Sequence, residues 1–549
     1  MDYKLYDYKF DKSLLENILI NRGIKDIDTF LDLDVEDEKA LNFTNMQRGC
    51  FKLYEHINKG SKILVLVDSD VDGYVSSGIL YRYLKDRYPT LDIHVILQKE
   101  NKAHGLNDFV ISQIDLFSPN LVIAPDSSSN DTKYHKILIE RGIDLLIIDH
   151  HHIDKEVSND IILINNQADN PVNKFICAGA VVYIFLEFYN RTVFQDNFHE
   201  KFLDSVALAL IADSCDMRDI YTRKLTLQGL DNINNKFIKA LIKKQEFKVK
   251  KVNIMSIAFY ITPLINACIR MSSMEDRIKM FNAFSLEEGI EEAVEICVKA
   301  KSKQDRVRDK ELKSLTEDIT NNNLKDDGAI IVVKNDITPA VIGLVANKIT
   351  DTYKRPAIVL RDVGDKYTGS IRSFTDCFSF KDWLNDSGLV IFCAGHSSAA
   401  GIGISKEKLP LLQDKLIELN EIVGQATTMI DKEYKNGKID VNDVIDIIEN
   451  DDLWGGKVTE PLFLVTNIHL MDDDINIIGK KQNTVKFRYN NIDYLMFNVS
   501  QDEIRNLTKY NSFTLNTIVR FNKNEYNGNV TLQALIEDYE IKECNSFFF

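Results

Sequence analysis

The sequence predicts an α/β protein. Its parts are a parallel doubly wound sheet, a helical stretch with one long exposed helix, a second α/β segment and a small C-terminal β-barrel. Three observations carry this. Between residues 62 and 150, apolar runs of strand length alternate with helical spacing. Residues 285–325 are charge-rich and helix-compatible. From about residue 456 the hydrophobic period changes to two.

Residues 1–60 read as helical and polar. Leu14-Leu15-Glu16-Asn17-Ile18-Leu19-Ile20 has helical apolar spacing, with a stop signal at Gly23. Ile63–Val67 predicts a buried parallel strand, followed by a helix starting near Val75. Gly73 is expected to hold a backbone conformation largely closed to other residues and so to turn the chain into that helix. Asp92–Leu97, Leu121–Ala124 and Asp144–Ile148 predict three further strands. Three strand ends carry metal-competent residues: Asp68, Asp70 and Asp72; then Asp126; then Asp149-His150-His151. In a parallel sheet these ends share one edge, where open α/β sheets bind ligands.

Helices then dominate to about residue 330. One of them, apolar from Ala207 to Ala212, ends in Asp213. The lysines at 239, 243, 244, 248, 250 and 251 fit a solvated face better than a nucleic-acid contact. Ser285-Leu286-Glu287-Glu288 resembles a capping box opening the long helix. Ala329–Val333, Val341–Thr352 and Pro356–Leu360 form a second strand–helix–strand segment. Beyond it Val485, Phe487 and Tyr489 alternate with Lys486 and Arg488, and turns are expected at Asn490-Asn491 and Asn527-Gly528. About five strands there suggest an OB-fold.

A chain of 549 residues holds about three to four domains. The N-terminus MDYKLYDYKFDK has no apolar core of a signal peptide, and no apolar run approaches 18 residues, so no membrane span is expected. Eight scattered cysteines without C-x-x-C predict reduced thiols in a cytoplasmic protein and no zinc ribbon. A net charge of −16 excludes a nonspecific nucleic-acid wrapper more strongly than it excludes an enzyme with a local basic groove.

D-x-D-x-D-G at 68–73 alone fits a solvated acidic turn as well as a cation site. An EF-hand is excluded because its twelfth position is Ile79. The other strand ends tilt the balance. Asp126 alone could be a cap, but adjacent histidines after Asp149 suit an imidazole ligand and a second imidazole for acid–base work or phosphate contact. Asp68, Asp70, Asp72, Asp126, His150 and Asp213 form a carboxylate-rich set suited to Mn²⁺ or Mg²⁺. Two such ions, about 3.5–4 Å apart, clamp both oxygens of an in-line displacement at phosphorus.

Taken in order, these four motifs resemble those of the DHH phosphoesterase superfamily. The chain is similar to RecJ-type single-strand-specific exonucleases over nearly its whole length. Further matches are Asn21-Arg22-Gly23-Ile24, Ala103-His104-Gly105-Leu106, Pro263 to Met271 with Asn266 and Arg270, and Val341-Ile342-Gly343. Gly369-Ser370-Ile371-Arg372-Ser373, Ala394-Gly395-His396, Trp454-Gly455-Gly456 and Leu532-Gln533 add to them. The resemblance implies six parts: an N-terminal helical segment (1–60), a parallel-sheet DHH catalytic domain (61–284) and a long bridging helix (285–326). The remaining three are a smaller DHH-associated α/β domain (327–425), a helical linker (426–455) and an OB-fold-like barrel (456–549).

The resemblance also implies roles. Asp70, Asp72, Asp126, His150 and Asp213 would hold two Mn²⁺ or Mg²⁺ ions. Asp68 would be a ligand or support the ligands, and His151 would contact the scissile phosphate or support them too. Lys99, Arg270, Ser370, Arg372 and His396 would bind phosphates of the substrate. The implied activity is 5′-to-3′ exonuclease action on single-stranded DNA, releasing nucleoside monophosphates in recombination or repair. A monomer is expected, with a single-strand-binding protein or helicase as partner and no membrane. Three departures stand out: Ser127-Ser128 replaces the family's Asn-Gly, Ala394 a glycine, and Ile269 another glycine. The competing readings are a phosphodiesterase of short oligonucleotides or RNA, and a noncatalytic single-strand-binding replisome bridge.

Overall fold

The computed structural model describes residues 1–9, 11–33, 43–100, 103–168, 173–322, 324, 328–374, 378–395, 397–420, 427–526 and 529–545. It forms two compact units. One comprises Met1–Val35, Asp216–Ile220 and Thr427–Phe549; the other comprises Glu36–Cys215 and Tyr221–Ala426.

The chain opens with strand β1 (Tyr3–Leu5), which belongs to the first unit. The second unit contains a five-stranded parallel sheet: β2 (Ile63–Val67), β3 (Ile93–Leu97), β4 (Leu121–Pro125), β5 (Asp144–Asp149) and β6 (Ile162–Asn165). Every residue of β2 and β4 is buried, as the continuous apolar runs require for strands covered on both faces. The strand order is β3-β2-β4-β5-β6. The connection out of β2 runs one way and β4 lies on the other side, so the switch point falls between β2 and β4. On one face Leu64, Leu66, Val110, Ile114, Val122, Ala124, Leu138 and Ile147 close a core. β6 was not expected, although Ile161-Ile162-Leu163-Ile164 is an apolar run of strand length.

Two local expectations are corrected at the first strand end. The helix after β2 is Val71–Arg87, starting at Val71 and not near Val75. Asp70 is its N-cap, and the Asp70 side chain accepts the Gly73 N–H at 2.9 Å. The acidic motif is thus the cap and first turn of a helix. Gly73 lies within that helix and has no positive φ. Glycine is needed there for closeness: a Cβ would sit 2.6 Å from the Asp68 Cβ and 2.9 Å from its carbonyl carbon.

The long helix is Ile290–Asn321, 32 residues, spanning about 48 Å. It buries Ala293, Val294, Cys297 and Ala300 in its first half, while Leu315 and Ile319 join the core of the second sheet. The capping-box expectation fails. Ser285 ends the preceding helix, Met274–Ser285, and donates to the Phe281 carbonyl at 2.7 Å; the N-cap is Gly289, with φ +64°. The second sheet contains β7 (Ile330–Val333), β8 (Ala357–Asp362), β9 (Lys366–Arg372), β10 (Phe392–Gly395) and β11 (Ala399–Ser405), in the order β10-β11-β9-β8-β7. Only β7 and β8 pair in parallel, with the helix Ile342–Tyr353 between them.

Among the described residues one helical stretch, Ile254–Met271, is long and apolar enough to cross a membrane; more than half of it is buried inside this unit. The absence of an unbroken apolar run did not reveal it, because Thr262, Asn266 and Arg270 interrupt it.

In the first unit, β1 pairs in parallel with β12 (Thr428–Ile430). A seven-stranded sheet follows: β13 (Lys432–Tyr434), β14 (Phe463–Met471), β15 (Asn476–Ile478), β16 (Thr484–Tyr489), β17 (Ile492–Phe497), β18 (Ser512–Tyr526) and β19 (Asn529–Asn545). Asn490 and Asn491 both have positive φ, the geometry of a two-residue hairpin turn. Asn527-Gly528 lies outside the described residues. Arg22, from the motif at 21–24, forms a buried two-pronged pair with Asp431 at 2.8 Å on each arm. Removing one partner of such a pair costs about 3–5 kcal/mol.

Candidate functional site

The three central strands of the parallel sheet end side by side, and their carboxyl ends gather the acidic and imidazole groups. Asp68 follows β2, Asp126 follows β4, and Asp149 closes β5 with His150 and His151 behind it. Asp70 and Asp72 lie on the cap and first turn of Val71–Arg87. Asp213 is the C-cap of Leu203–Ala212.

Asp126 is the least satisfied of these groups. It is 1% exposed, and neither carboxylate oxygen has a hydrogen-bond partner. His150 Nε2 stands 3.2 Å from its Oδ1, and the backbone is left-handed, φ +60°. Burial, then Asp72, Asp70 and Asp68 in turn, push its pKa well above the usual carboxylate range. The His150 ring lies among three carboxylates. Its Nε2 is also 3.7 Å from Asp72 Oδ2, and its Nδ1 is 3.8 Å from Asp213 Oδ2. Burial likewise raises Asp213 to about 7.

Asp72 is held from behind. Its two oxygens accept the N–H groups of Ala178 and Gly179, each at 2.8 Å, at the start of the helix Ala178–Val193. A helix N-terminus favours a carboxylate in that position. Asp68 accepts the Gly105 N–H at 3.1 Å and lies 2.9 Å from His104 Nδ1.

Three groupings place one donor atom from each residue within 4.8 Å of one another: Asp126, His150 and His151; Asp72, His150 and Asp213; and Asp68, Asp70 and Asp126. They share Asp126 and His150, so they form one continuous cluster. Five aspartates gathered at one edge, with both Asp126 oxygens buried and without a hydrogen bond, fit a divalent-cation site.

Asp149 is saturated and behaves differently. It accepts the His151 Nδ1 at 2.7 Å, the backbone N–H groups of His150 and His151, and the Ser129 hydroxyl at 2.6 Å. Asp149 is thereby held well below the usual carboxylate range, although burial alone would raise it. In return Asp149 lifts His151 to about 9, against the opposing effect of burial. The ring is thus fixed through Nδ1, with Nε2 left over.

Two residues that the sequence motifs leave without a role, Asp149 and His104, are in contact with the cluster. The His104 ring is half-exposed and 4.9 Å from that of His151, and each of the two is held by a buried aspartate through Nδ1.

At Ser127-Ser128 the departure from the family's Asn-Gly has a visible consequence. Ser128 adopts φ +78°, at a cost of about 1–2 kcal/mol for a residue with a Cβ. Its hydroxyl accepts the Leu106 N–H at 3.1 Å, a contact glycine could not make.

The expected phosphate ligands are placed unevenly. Arg270 ends the helix Thr262–Met271 and lies close enough to Arg372 that, after burial, its charge is what disfavours the Arg372 cation. Arg372 donates to its own chain at the Ile371 carbonyl and has no carboxylate within 4.0 Å among the described residues. Gly343 sits against this guanidinium: a Cβ would be 2.6 Å from Arg372 Nη2 and 3.7 Å from Ser370 Oγ. Lys99 is exposed in the turn after β3, and its carbonyl accepts from the buried Arg277 at 3.1 Å. Its ammonium joins no carboxylate of the cluster among the described residues. His396 lies outside the described residues.

Residues 62–210 match the family model described as the DHH family, N-terminal domain; 326–422 match the DHHA1 domain and 430–538 the RecJ OB domain. A putative SPbeta prophage-derived single-strand DNA-specific exonuclease, YorK, of Bacillus subtilis (strain 168) is 34% identical over 590 residues, covering 99% of this chain and 98% of its own. The single-stranded-DNA-specific exonuclease RecJ of Bacillus subtilis (strain 168) is 24% identical over 558 residues, 97% of this chain and 69% of its own. The crystal structure of RecJ in complex with Mn²⁺ from Thermus thermophilus has a similar fold, at TM-score 0.76 and 18% identity, over 97% of this chain and 76% of that one.

Proposed function

The chain belongs to the RecJ family of DHH proteins, and from that membership we propose that it hydrolyses phosphodiester bonds in single-stranded DNA with divalent cations. It would act as an exonuclease with 5′-to-3′ polarity, releasing nucleoside monophosphates in recombination or repair. The observation that carries the reading is Asp126: two buried oxygens without a hydrogen-bond partner, at the switch point of a parallel sheet, amid four further aspartates and an imidazole. Relatives named as single-strand-specific DNA exonucleases, and a RecJ structure described with Mn²⁺, supply the substrate and the ion.

In this reading Asp70, Asp72, Asp126, His150 and Asp213 hold two Mn²⁺ or Mg²⁺ ions. When bound, the ions supply Lewis-acid stabilisation of charge on the scissile phosphate and on the attacking water. The other steps belong to the chain. Asp68, already engaged by His104 and Gly105, supports the ligand wall. Asp149 fixes the His151 ring so that Nε2 can hydrogen-bond the phosphate or hand a proton to the leaving oxygen. Arg270 and Arg372, with Ser370 beside them, take flanking phosphates through planar guanidinium forks. Lys99 and His396 would add to this grip. The chain would work as a monomer in the cytoplasm on strands supplied by a single-strand-binding protein or a helicase.

Digestion of long single strands labelled at either end, with Mn²⁺, tests the reading against duplex and dinucleotide controls. The expected result is early release of the 5′ label as mononucleotide, an intact duplex and slow dinucleotide cleavage. Dinucleotide cleavage as fast as that of the long strand would make it a phosphodiesterase of short substrates. Strands bound but uncut would make it a noncatalytic bridge.

A further inference from the structure

Residues 236–251 hold seven lysines and one glutamate in a chain whose net charge is −16. The helix Lys236–Lys244 buries Phe237, Ile238 and Leu241 and leaves its lysines exposed. Lys236 pairs with Glu287 and Lys244 with Glu295. Lys239, Lys243, Lys248 and Lys250 have no carboxylate within 4.0 Å among the described residues, so their charge is unneutralised.

Three aromatic rings stand exposed within the same stretch of structure. Phe247 is 84% exposed, Phe259 64% and Tyr260 39%. Lys248 Nζ lies 5.9 Å from the Tyr260 ring centre, and Lys250 Nζ lies 5.7 Å from that of Phe247. Scattered single apolar residues need no explanation on a surface, but three rings interleaved with unpaired lysines do.

The helix itself explains why two of the rings point outward. Pro263 has no N–H to give to the Phe259 carbonyl. The helix responds with a wide turn over Ile257–Ile261, in which the Thr262 N–H reaches back to Ile257. Ile257 and Ile261 stay buried, and Phe259 and Tyr260 face solvent. Phe259, Pro263, Asn266 and Arg270 follow at spacings that keep one helical face. Eleven residues of helix place Phe259 about 16 Å from Arg270.

We propose that this basic–aromatic patch is a docking surface for single-stranded DNA beyond the cleavage site. Bases stack on Phe247, Phe259 and Tyr260, and phosphates meet Lys239, Lys243, Lys248 and Lys250. The strand then runs along the Phe259–Arg270 face toward Arg270 and Arg372. Sequence-tolerant stacking beside free lysines is the chemistry of single-strand tracks. The proposal rests on the reading of the chain as a single-strand nuclease.

The test compares strands of about thirty and about four nucleotides. It uses wild type, a Phe259→Ala/Tyr260→Ala variant and a Lys248→Glu/Lys250→Glu variant that keeps both rings. KM is measured on each strand, and binding by fluorescence anisotropy across a salt series. The aromatic variant should raise KM on the long strand by about tenfold or more and leave the short strand unchanged. The lysine variant should flatten the salt slope by about 1.4. Long-strand KM and slope unchanged in both variants would overturn the proposal and leave the surface to an acidic protein partner. Should wild type cut neither strand, the nuclease reading fails, while the binding arm still decides whether the patch holds DNA.

Discussion

The parallel sheet ends its three central strands in carboxylates and imidazoles, whereas the mixed sheet ends β9 in Arg372 beside Ser370. In the first, buried acids crowd one another, and Asp126 has no hydrogen bond, only the nearby His150 ring. In the second, a guanidinium faces another guanidinium, and Gly343 leaves room for it. The two regions are therefore opposite in charge: one gathers buried carboxylates and the other brings two guanidiniums together. A phosphodiester held with divalent metal suits both, the cations at the carboxylates and the phosphate at the guanidiniums.

The difference also explains what the sequence made legible. Parallel strands bring their carboxyl ends to one edge by topology alone, so three local motifs sufficed to place Asp68, Asp126 and His150 together. The basic cluster needs residues from separate elements, Arg270 on one helix, Gly343 in the first turn of another and Arg372 on a strand, so spacing in the chain said little about their meeting. Local hydrogen bonding was harder still. The acidic motif read as a turn because Asp70 can cap either a turn or a helix, and only the fold selects the helix. Asp149 carries no role in the sequence reading, and its saturation by Ser129 and His151 is a three-dimensional fact. The family's glycine at 128 is replaced by a serine that keeps the left-handed backbone, which no propensity would have selected.

The largest expected effect comes from removing Asp126. Asp126→Ala should lower the cleavage rate by roughly a thousandfold or more. It should leave the melting temperature of the metal-free protein unchanged or higher, because it deletes a buried, unpartnered carboxyl amid like charges. Near wild-type rates would remove Asp126 from the centre.

On the basic side the loss should fall on binding. Arg372→Ala should raise KM by about tenfold or more with a smaller change in kcat. Gly343→Ala is the finer probe: its methyl displaces the Arg372 guanidinium without removing it, so KM should rise by only about two- to fivefold. Equal effects on kcat for both variants would place Arg372 at the reacting phosphate.

The smallest effect is one of linkage. Asp72, Asp126 and Asp213 have folded-state values raised above the unfolded ones, Asp213 to about 7. Their protonation contributes stability that is full at acid pH and is lost as pH rises through these folded values. A cation that takes the same oxygens must expel those protons. Mn²⁺ should therefore raise the melting temperature by a few degrees more at pH 8 than at pH 6. An equal or reversed dependence would mean that the cation binds elsewhere.

The most direct test of the carboxylate centre is calorimetric titration of Mn²⁺ into the metal-free wild type and the Asp126→Ala variant at pH 8. Saturable binding to the wild type and loss of at least one binding event in the variant are expected. Identical stoichiometry and affinity in the two proteins would contradict a cation site at Asp126.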